Sequence, residues 1–344
     1  MGRAGRRRDR VTTRIFFSTN PVGSIATGQI QNMLDRFHLG ELVSFERTAE
    51  GVMQQTMFIT STSGEFVLKG NPIYEGQWAE EKFFVDHLHE ICRVPVPVPY
   101  IIDDQSDIFG WSYALMPRLP GVHFNDPAVQ AALSETDQTM IASRLAENLT
   151  QLHRWKTDSF GEFDPVLRRI HPFADTYGSW LYSTIKFWLD DAKKYSDIRA
   201  EDQRWADHVL QDTKPSFDAL EIPSFVMGDF KPENVLMEHD GGEWRVSGVI
   251  DFTTSYFGDS IADLSKITLH YLDLGQEKLA KRFIMEYMGL TNAGEAEIQR
   301  LKVHLLHQRV LDWGCAYATQ SVTWDKRLSF SEWANRFVQF ADIN

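Results

Sequence analysis

Apolar positions follow a helical spacing at the start of the chain and a tighter one soon after. Between residues 24 and 40, Ile25, Ile30, Met33, Leu34 and Phe37 predict a short amphipathic helix. Then Leu42-Val43-Ser44-Phe45, Thr56-Met57-Phe58-Ile59-Thr60 and Glu65-Phe66-Val67-Leu68-Lys69 follow one another. The turn signals Glu50-Gly51-Val52 and Ser63-Gly64 separate them, predicting three antiparallel strands. Helical spacing returns from Gln77 to Leu88, with Trp78, Phe84, Val85 and Leu88 in phase. Val94 to Pro99 alternates valine and proline, which makes it extended and rigid. Trp111 to Met116 reads as a buried strand, and Pro117-Arg118-Leu119-Pro120-Gly121 breaks regular structure. Beyond that break the pattern is helical. Ile141, Leu145, Leu149 and Leu152 form one stripe, and residues 174–219 form two helices with aromatic-rich core faces. Three more are predicted near Glu277–Tyr287, Ala296–Tyr317 and Ser331–Phe340. The expected class is α+β: residues 24–116 an antiparallel-sheet part, 117–121 a hinge, 122–344 a larger and mainly helical part. Residues 1–23 read as an arm outside the fold, disordered or a start-site artefact.

One stretch concentrates oxygen-bearing side chains. Phe225-Val226-Met227 runs into Gly228-Asp229, and Asn234 comes five residues later. Val235-Leu236-Met237, the turn Asp240-Gly241-Gly242, and a second apolar run through Val249-Ile250 then lead to Asp251. That order predicts a hairpin whose two feet lie side by side. Asp251 is therefore expected beside Lys231 to Asn234, with Asp229, Asn234 and Asp251 converging. Hard cations such as Mg2+ take oxygen ligands and usually accompany substrate phosphates. Phosphoryl transfer to an alcohol needs a carboxylate to accept the hydroxyl proton, and an Asn and an Asp to hold metal. Asp229 fits the first role; Asn234 and Asp251 fit the second.

Composition narrows the partners. At 344 residues the chain can hold one large or two modest domains. Its net charge is −13, and −17 without the first ten residues, which hold five Arg and one Asp. Such acidity argues against a nucleic-acid partner and is compatible with a polycationic small substrate. Two cysteines, Cys92 and Cys315, make neither a disulfide framework nor a metal cluster, so a reducing cytoplasm is expected. The basic start lacks the apolar segment of a secretory signal, and no apolar run reaches membrane-spanning length.

Asp229-Phe230-Lys231-Pro232-Glu233-Asn234 resembles the D-L-K-P-E-N catalytic loop of eukaryotic-type protein kinases. Gly228 before it, and Ile250-Asp251-Phe252 followed by Gly258-Asp259 and Asp263-Leu264, resemble the aminoglycoside phosphotransferase family more closely. This resemblance implies a bilobal protein-kinase-like fold, with ATP (GTP being the alternative) and Mg2+ as cofactors. It implies a small-molecule hydroxyl acceptor, an aminoglycoside-like antibiotic leading. Lys69 takes the place of the phosphate-pairing lysine, held by a carboxylate of the following helix. Glu81 is preferred to Glu80, which is then expected to be solvated. Gly51 takes the place of the phosphate-covering glycine. Adenine would lie beside Met116, bonding the Pro117 carbonyl and the Leu119 N–H. Lys231 would approach the γ-phosphate. His153 is expected to pack or cap, and Asp263 to support the loop. Asp312 would face an aminated sugar or be solvated.

Two positions depart from the pattern. Met227 stands where the family has histidine; it fills volume but cannot make the histidine's hydrogen bond. Gly51 stands where protein kinases have G-x-G-x-x-G. Three other readings are a kinase of another metabolite (macrolide, homoserine, choline-like), a protein kinase, and a nucleotide-binding pseudokinase. No A-P-E segment follows Asp251, which counts against the protein kinase. A monomer and a dimer are both compatible.

Overall fold

The computed structural model describes residues 22–48 and 56–342. The predicted turn at Glu50-Gly51-Val52, and with it Gly51, lies outside the described residues. The described chain divides into two compact units. The first holds residues up to 90, then 95–120 and 165–167; the second holds the rest.

In the first unit, α1 (Thr27–Arg36) precedes β1 (Leu42–Arg47), β2 (Thr56–Ser61) and β3 (Gly64–Gly70). Then come α2 (Gln77–Ile91), β4 (Ile101–Asp103) and β5 (Tyr113–Pro117). The five strands form one antiparallel sheet in the order β1-β2-β3-β5-β4. Strand alternation puts Met57 and Ile59 of β2 on one face, where they meet Ile30, Met33 and Leu34 of α1. The predicted helix of residues 24–40 is thus shorter, but its apolar stripe is the one buried. Arg36 anchors α1 to the sheet edge through Asp103, at 2.5 Å, and Asp103 also accepts from Tyr113 Oη at 2.6 Å. β5 runs one residue past the expected break, to Pro117. The missing N–H there is harmless, because the β3 side takes the Arg118 N–H (3.0 Å to Glu65 O) and β4 has already ended opposite Leu115.

In the second unit, β6 (Val122–His123), α3 (Pro127–Ala132) and α4 (Glu135–Leu152) come first. They are followed by β7 (Gly161–Asp164), β8 (Arg169–Pro172), α5 (Tyr177–Ala192) and α6 (Ala200–Asp218). Then come β9 (Ser224–Val226), β10 (Val235–Asp240), β11 (Glu243–Val249) and β12 (Tyr256–Gly258). The chain closes with α7 (Leu264–Asp273), α8 (Glu277–Thr291), α9 (Glu295–Ala318) and α10 (Phe330–Phe340). The predicted helices are present, α8 and α9 with slightly wider bounds. The short strands β6 to β8 and β12 are too brief to show a period and were not expected. They matter for the site: β9 pairs with β12, and β12 with β7, so the segment entering Asp229 is fixed in a four-stranded sheet. α4 packs on α8, and α9 packs against α5, α6, α7 and α10. No helix among the described residues is long and apolar enough to cross a membrane.

Candidate active site

The predicted hairpin forms as β10 and β11, with Asp240 opposite Glu243 and Val235 opposite Val249. Gly241 and Gly242 turn the chain with φ of 60° and 92°, a geometry glycine adopts without steric cost. At the feet, the Ile250 N–H donates to the Asn234 carbonyl at 3.0 Å, which brings Asp251 next to the loop. Asp251 itself has φ of 68°, rare for a residue with a side chain. Its Oδ1 accepts from Thr253 Oγ1 at 2.9 Å.

Asp229 is the centre of the loop. Gly228 before it has φ of 76°, and a Cβ there would lie 2.5 Å from the Thr254 carbonyl oxygen. The Asp229 side chain is 14% exposed, and its two oxygens have different partners. Oδ2 accepts from Asn234 Nδ2 and pairs with Lys231 Nζ, both at 2.9 Å. Oδ1 pairs with Lys266 Nζ of α7. Burial alone would raise this carboxyl, but Lys266 and then Lys231 outweigh it and hold it below the ordinary 3.8. Burial in turn would lower the Lys231 ammonium, and Asp229, aided by Asp251 and Glu233, holds it above its ordinary value. Pro232 to Asn234 form one 3-10 turn with proline at its start. Asn125 Nδ2 braces that turn by donating to Glu233 Oε1 at 2.6 Å.

Met227 is fully buried, and its backbone is held without a histidine of its own. Its N–H donates to Asp263 Oδ2 at 2.7 Å, and the Gly228 N–H donates to Asp263 Oδ1 at 2.8 Å. Its carbonyl accepts from Thr254 Oγ1 and Ser255 Oγ, both at 3.2 Å. His153 caps α4 and is buried, with Nε2 3.0 Å from Asp263 and Nδ1 2.7 Å from Tyr287 Oη. A third of the Asp312 side chain reaches solvent; the rest is held by Gln308 and Arg309, and burial raises its carboxyl.

In the first unit, Lys69 Nζ lies 2.7 Å from Glu81 Oε1, and Glu81 Oε2 accepts from Tyr100 Oη at 2.7 Å. Glu80, expected to be solvated, is instead 1% exposed. Neighbouring residues of a helix point about 100° apart, and this second direction is covered too: Tyr74 Oη donates to Glu80 at 3.1 Å. Met116 is buried in β5. Because the Arg118 N–H points to β3, the trans peptide turns the Pro117 carbonyl to the opposite side.

Lys266 escaped the sequence reading, although a signal for it exists. It lies three residues after Asp263, on the same helical face, and Asp263 faces the loop. Tyr100, Tyr287 and Asn125 had no such signal, because each reaches its partner through packing of distant segments.

Comparison with known proteins bears on the family and the fold. The family model described as the phosphotransferase enzyme family, APH, matches residues 44–299. The chain is 26% identical over 232 residues to acyl-CoA dehydrogenase family member 11 of Rattus norvegicus, covering 64% of this chain and 27% of that protein. It is 29% identical over 148 residues to homoserine kinase of Paraburkholderia xenovorans, covering 39% and 43%. The chain thus spans less than half the length of these curated relatives. Among solved structures, a thermostable mutant of aminoglycoside phosphotransferase APH(4)-Ia, in ternary complex with ADP and hygromycin B, matches with a TM-score of 0.59. Its identity is 16%, covering 92% of this chain and 100% of that one. That likeness concerns the protein-kinase-like fold.

Proposed function

The chain belongs to the phosphotransferase enzyme family, and on that premise we propose that it transfers the γ-phosphoryl group of ATP to the hydroxyl of a small molecule. The observation that carries this reading is the Asp229 carboxylate, held by Asn234 and Lys231 within one turn of chain and next to the hairpin foot that bears Asp251. A nucleotide with phosphates is consistent with the ADP complex of the fold neighbour. GTP is the alternative donor.

In this reaction the acceptor oxygen forms a bond to the γ-phosphorus as the bond to the departing ADP oxygen breaks. Asp229 orients the hydroxyl and receives its proton. Its carboxyl lies below the ordinary range, so it is a weak base. That suits a loose transition state, in which positioning and electrostatics supply most of the acceleration. Lys231 offsets charge on the moving phosphoryl group. Lys69, fixed by Glu81, pairs with the nucleotide phosphates, and the Pro117 carbonyl and Leu119 N–H face adenine.

Asn234 and Asp251 are the residues that would hold a Mg2+ ion. Asn234 uses its amide N–H2 to hold Asp229, which aims its own oxygen elsewhere, and Asp251 adds a carboxylate. Among the described residues no cluster of three His, Cys, Asp or Glu could hold a metal. An Asn and an Asp are enough where phosphates and waters complete the shell. When bound, Mg2+ neutralises charge on the β- and γ-phosphates.

The fold neighbour binds hygromycin B and one relative is a homoserine kinase, so an aminoglycoside-like alcohol and a small metabolite alcohol are both candidate acceptors. With two cysteines in 344 residues, the compartment we propose is a reducing cytoplasm. The test is ADP release across aminoglycosides, macrolides, amino alcohols and hydroxy acids. Phosphorylated product with wild type, lost in Asp229→Asn, supports the reading. Nucleotide-dependent thermal stabilisation with no product from any alcohol would make it a nucleotide-binding pseudokinase.

A further inference from the structure

Lys266 occupies the oxygen of Asp229 that the acceptor needs. Oδ2 is committed to Asn234 and Lys231, two residues of the loop itself. Oδ1 faces Lys266, which comes from a separate helix and is a quarter exposed. An alcohol approaching Asp229 therefore meets Oδ1 and the Lys266 ammonium together. Drawing the ammonium away from a mostly buried carboxylate is costly unless another anion receives it.

The Lys266 charge also reaches His307 and Asp312 on α9, and neither supplies that anion. His307 is neutral: burial, with help from His304 and Lys266, pushes its imidazole down to about 3, and its Nε2 has no hydrogen-bond partner among the described residues. Asp312 is already engaged by Arg309 at 3.3 Å and Gln308 at 2.7 Å.

We propose that Lys266 selects acceptors that carry an anionic group, a carboxylate or a phosphate, within a few bonds of the reacting hydroxyl. The anion draws Lys266 off Oδ1, and the hydroxyl takes its place on Asp229. A polycationic acceptor would lose the ion pair and gain a like charge beside its own ammonium groups. This rests on the phosphotransferase reading above and narrows its acceptor.

The experiment is kcat/KM for matched acceptors, with wild type, Lys266→Met and Lys266→Arg. The acceptors are short hydroxycarboxylates, their methyl esters and amides, polyol phosphates, neutral polyols and aminoglycosides. Wild type should prefer the anionic member of a pair by tenfold or more. Lys266→Met should bring that ratio close to one, mainly through KM, and Lys266→Arg should restore most of it. The hydroxycarboxylate and polyol phosphate arms separate the two anion chemistries. Wild-type preference for neutral or cationic alcohols, or an unchanged ratio in Lys266→Met, overturns the proposal and leaves the phosphotransferase reading intact. Absence of product from every alcohol overturns both.

Discussion

One oxygen of Asp263 serves two partners: it accepts the Met227 N–H at 2.7 Å and lies 3.0 Å from His153 Nε2. A histidine is thus present under the loop, but it comes from the end of α4 and acts through Asp263. The missing hydrogen bond at position 227 is replaced by the Asp263 carboxylate on one side and by Thr254 and Ser255 on the other. Asp263→Asn turns one acceptor atom into a donor facing a backbone N–H. A buried donor left unpaired costs about 1–3 kcal/mol. The variant should show a lower melting temperature together with reduced turnover.

Replacing Asp229 with Asn keeps the volume and removes the proton acceptor. Turnover should fall by roughly 10²- to 10⁴-fold, the range typical of a lost general base. Nucleotide affinity, measured by calorimetry, should change little. Near-normal turnover would remove Asp229 from the chemistry.

Glu81 is fully buried between Lys69 and Tyr100. Glu81→Gln keeps its shape but loses the charge that fixes Lys69. Nucleotide affinity should drop about tenfold, or ~1.4 kcal/mol. Glu80→Gln, which touches Tyr74 instead, should leave affinity close to wild type. Equal effects of the two would contradict the assignment of Lys69 to the phosphates.

Gly228→Ala tests the backbone entering the loop. The new methyl group would meet the Thr254 carbonyl at 2.5 Å, at a φ of 76°. Strain of this kind costs about 1–3 kcal/mol. Thermal unfolding should show the loss directly. An alanine variant as stable as wild type would mean that this turn can relax.

Asp259 links β12 to α9 and predicts how stability depends on pH. Burial pushes its carboxyl up, but the His304 hydrogen bond and the Arg300 charge outweigh it and hold it below 3.8. A carboxyl lowered in the fold stabilises fully above the unfolded value of about 4 and loses that contribution as pH falls through the folded one. Asp259→Asn should therefore lose about 3 kcal/mol near neutral pH and unfold less steeply below pH 4. Parallel acid-denaturation curves for the two proteins would contradict this.

The parts of the site carried by a single segment were legible in the sequence. Asp229, Asn234 and Asp251 lie on one hairpin, and its turn and strand pattern set their relation in advance. Glu81 was legible once Lys69 had been placed, because one helix face had to supply a carboxylate. Glu80 was misjudged because exposure depends on what covers a helix from outside, and Tyr74 gives no periodic signal. Lys266 was not legible because it lies outside the motif, on a face of α7 that meets Asp229 only in the folded chain. Strands β7, β8 and β12 were illegible for another reason: three or four residues are too few for a period of two to stand out.

Among the described residues, the Gly241-Gly242 tip has nothing within 4 Å of where a side chain would start. Asn234 and Asp251 sit at the opposite end of the same ribbon, tied by the Ile250 N–H. Lengthening the tip thus leaves the spacing of the two oxygen donors unchanged, whereas deleting one paired residue inside either arm, away from the bulge at Ser247, would displace a donor by about 3.3 Å and turn alternate side chains inside out. The tip is accordingly the place to graft an epitope or a fluorescent reporter, and the arms are where a single-codon deletion would abolish catalysis.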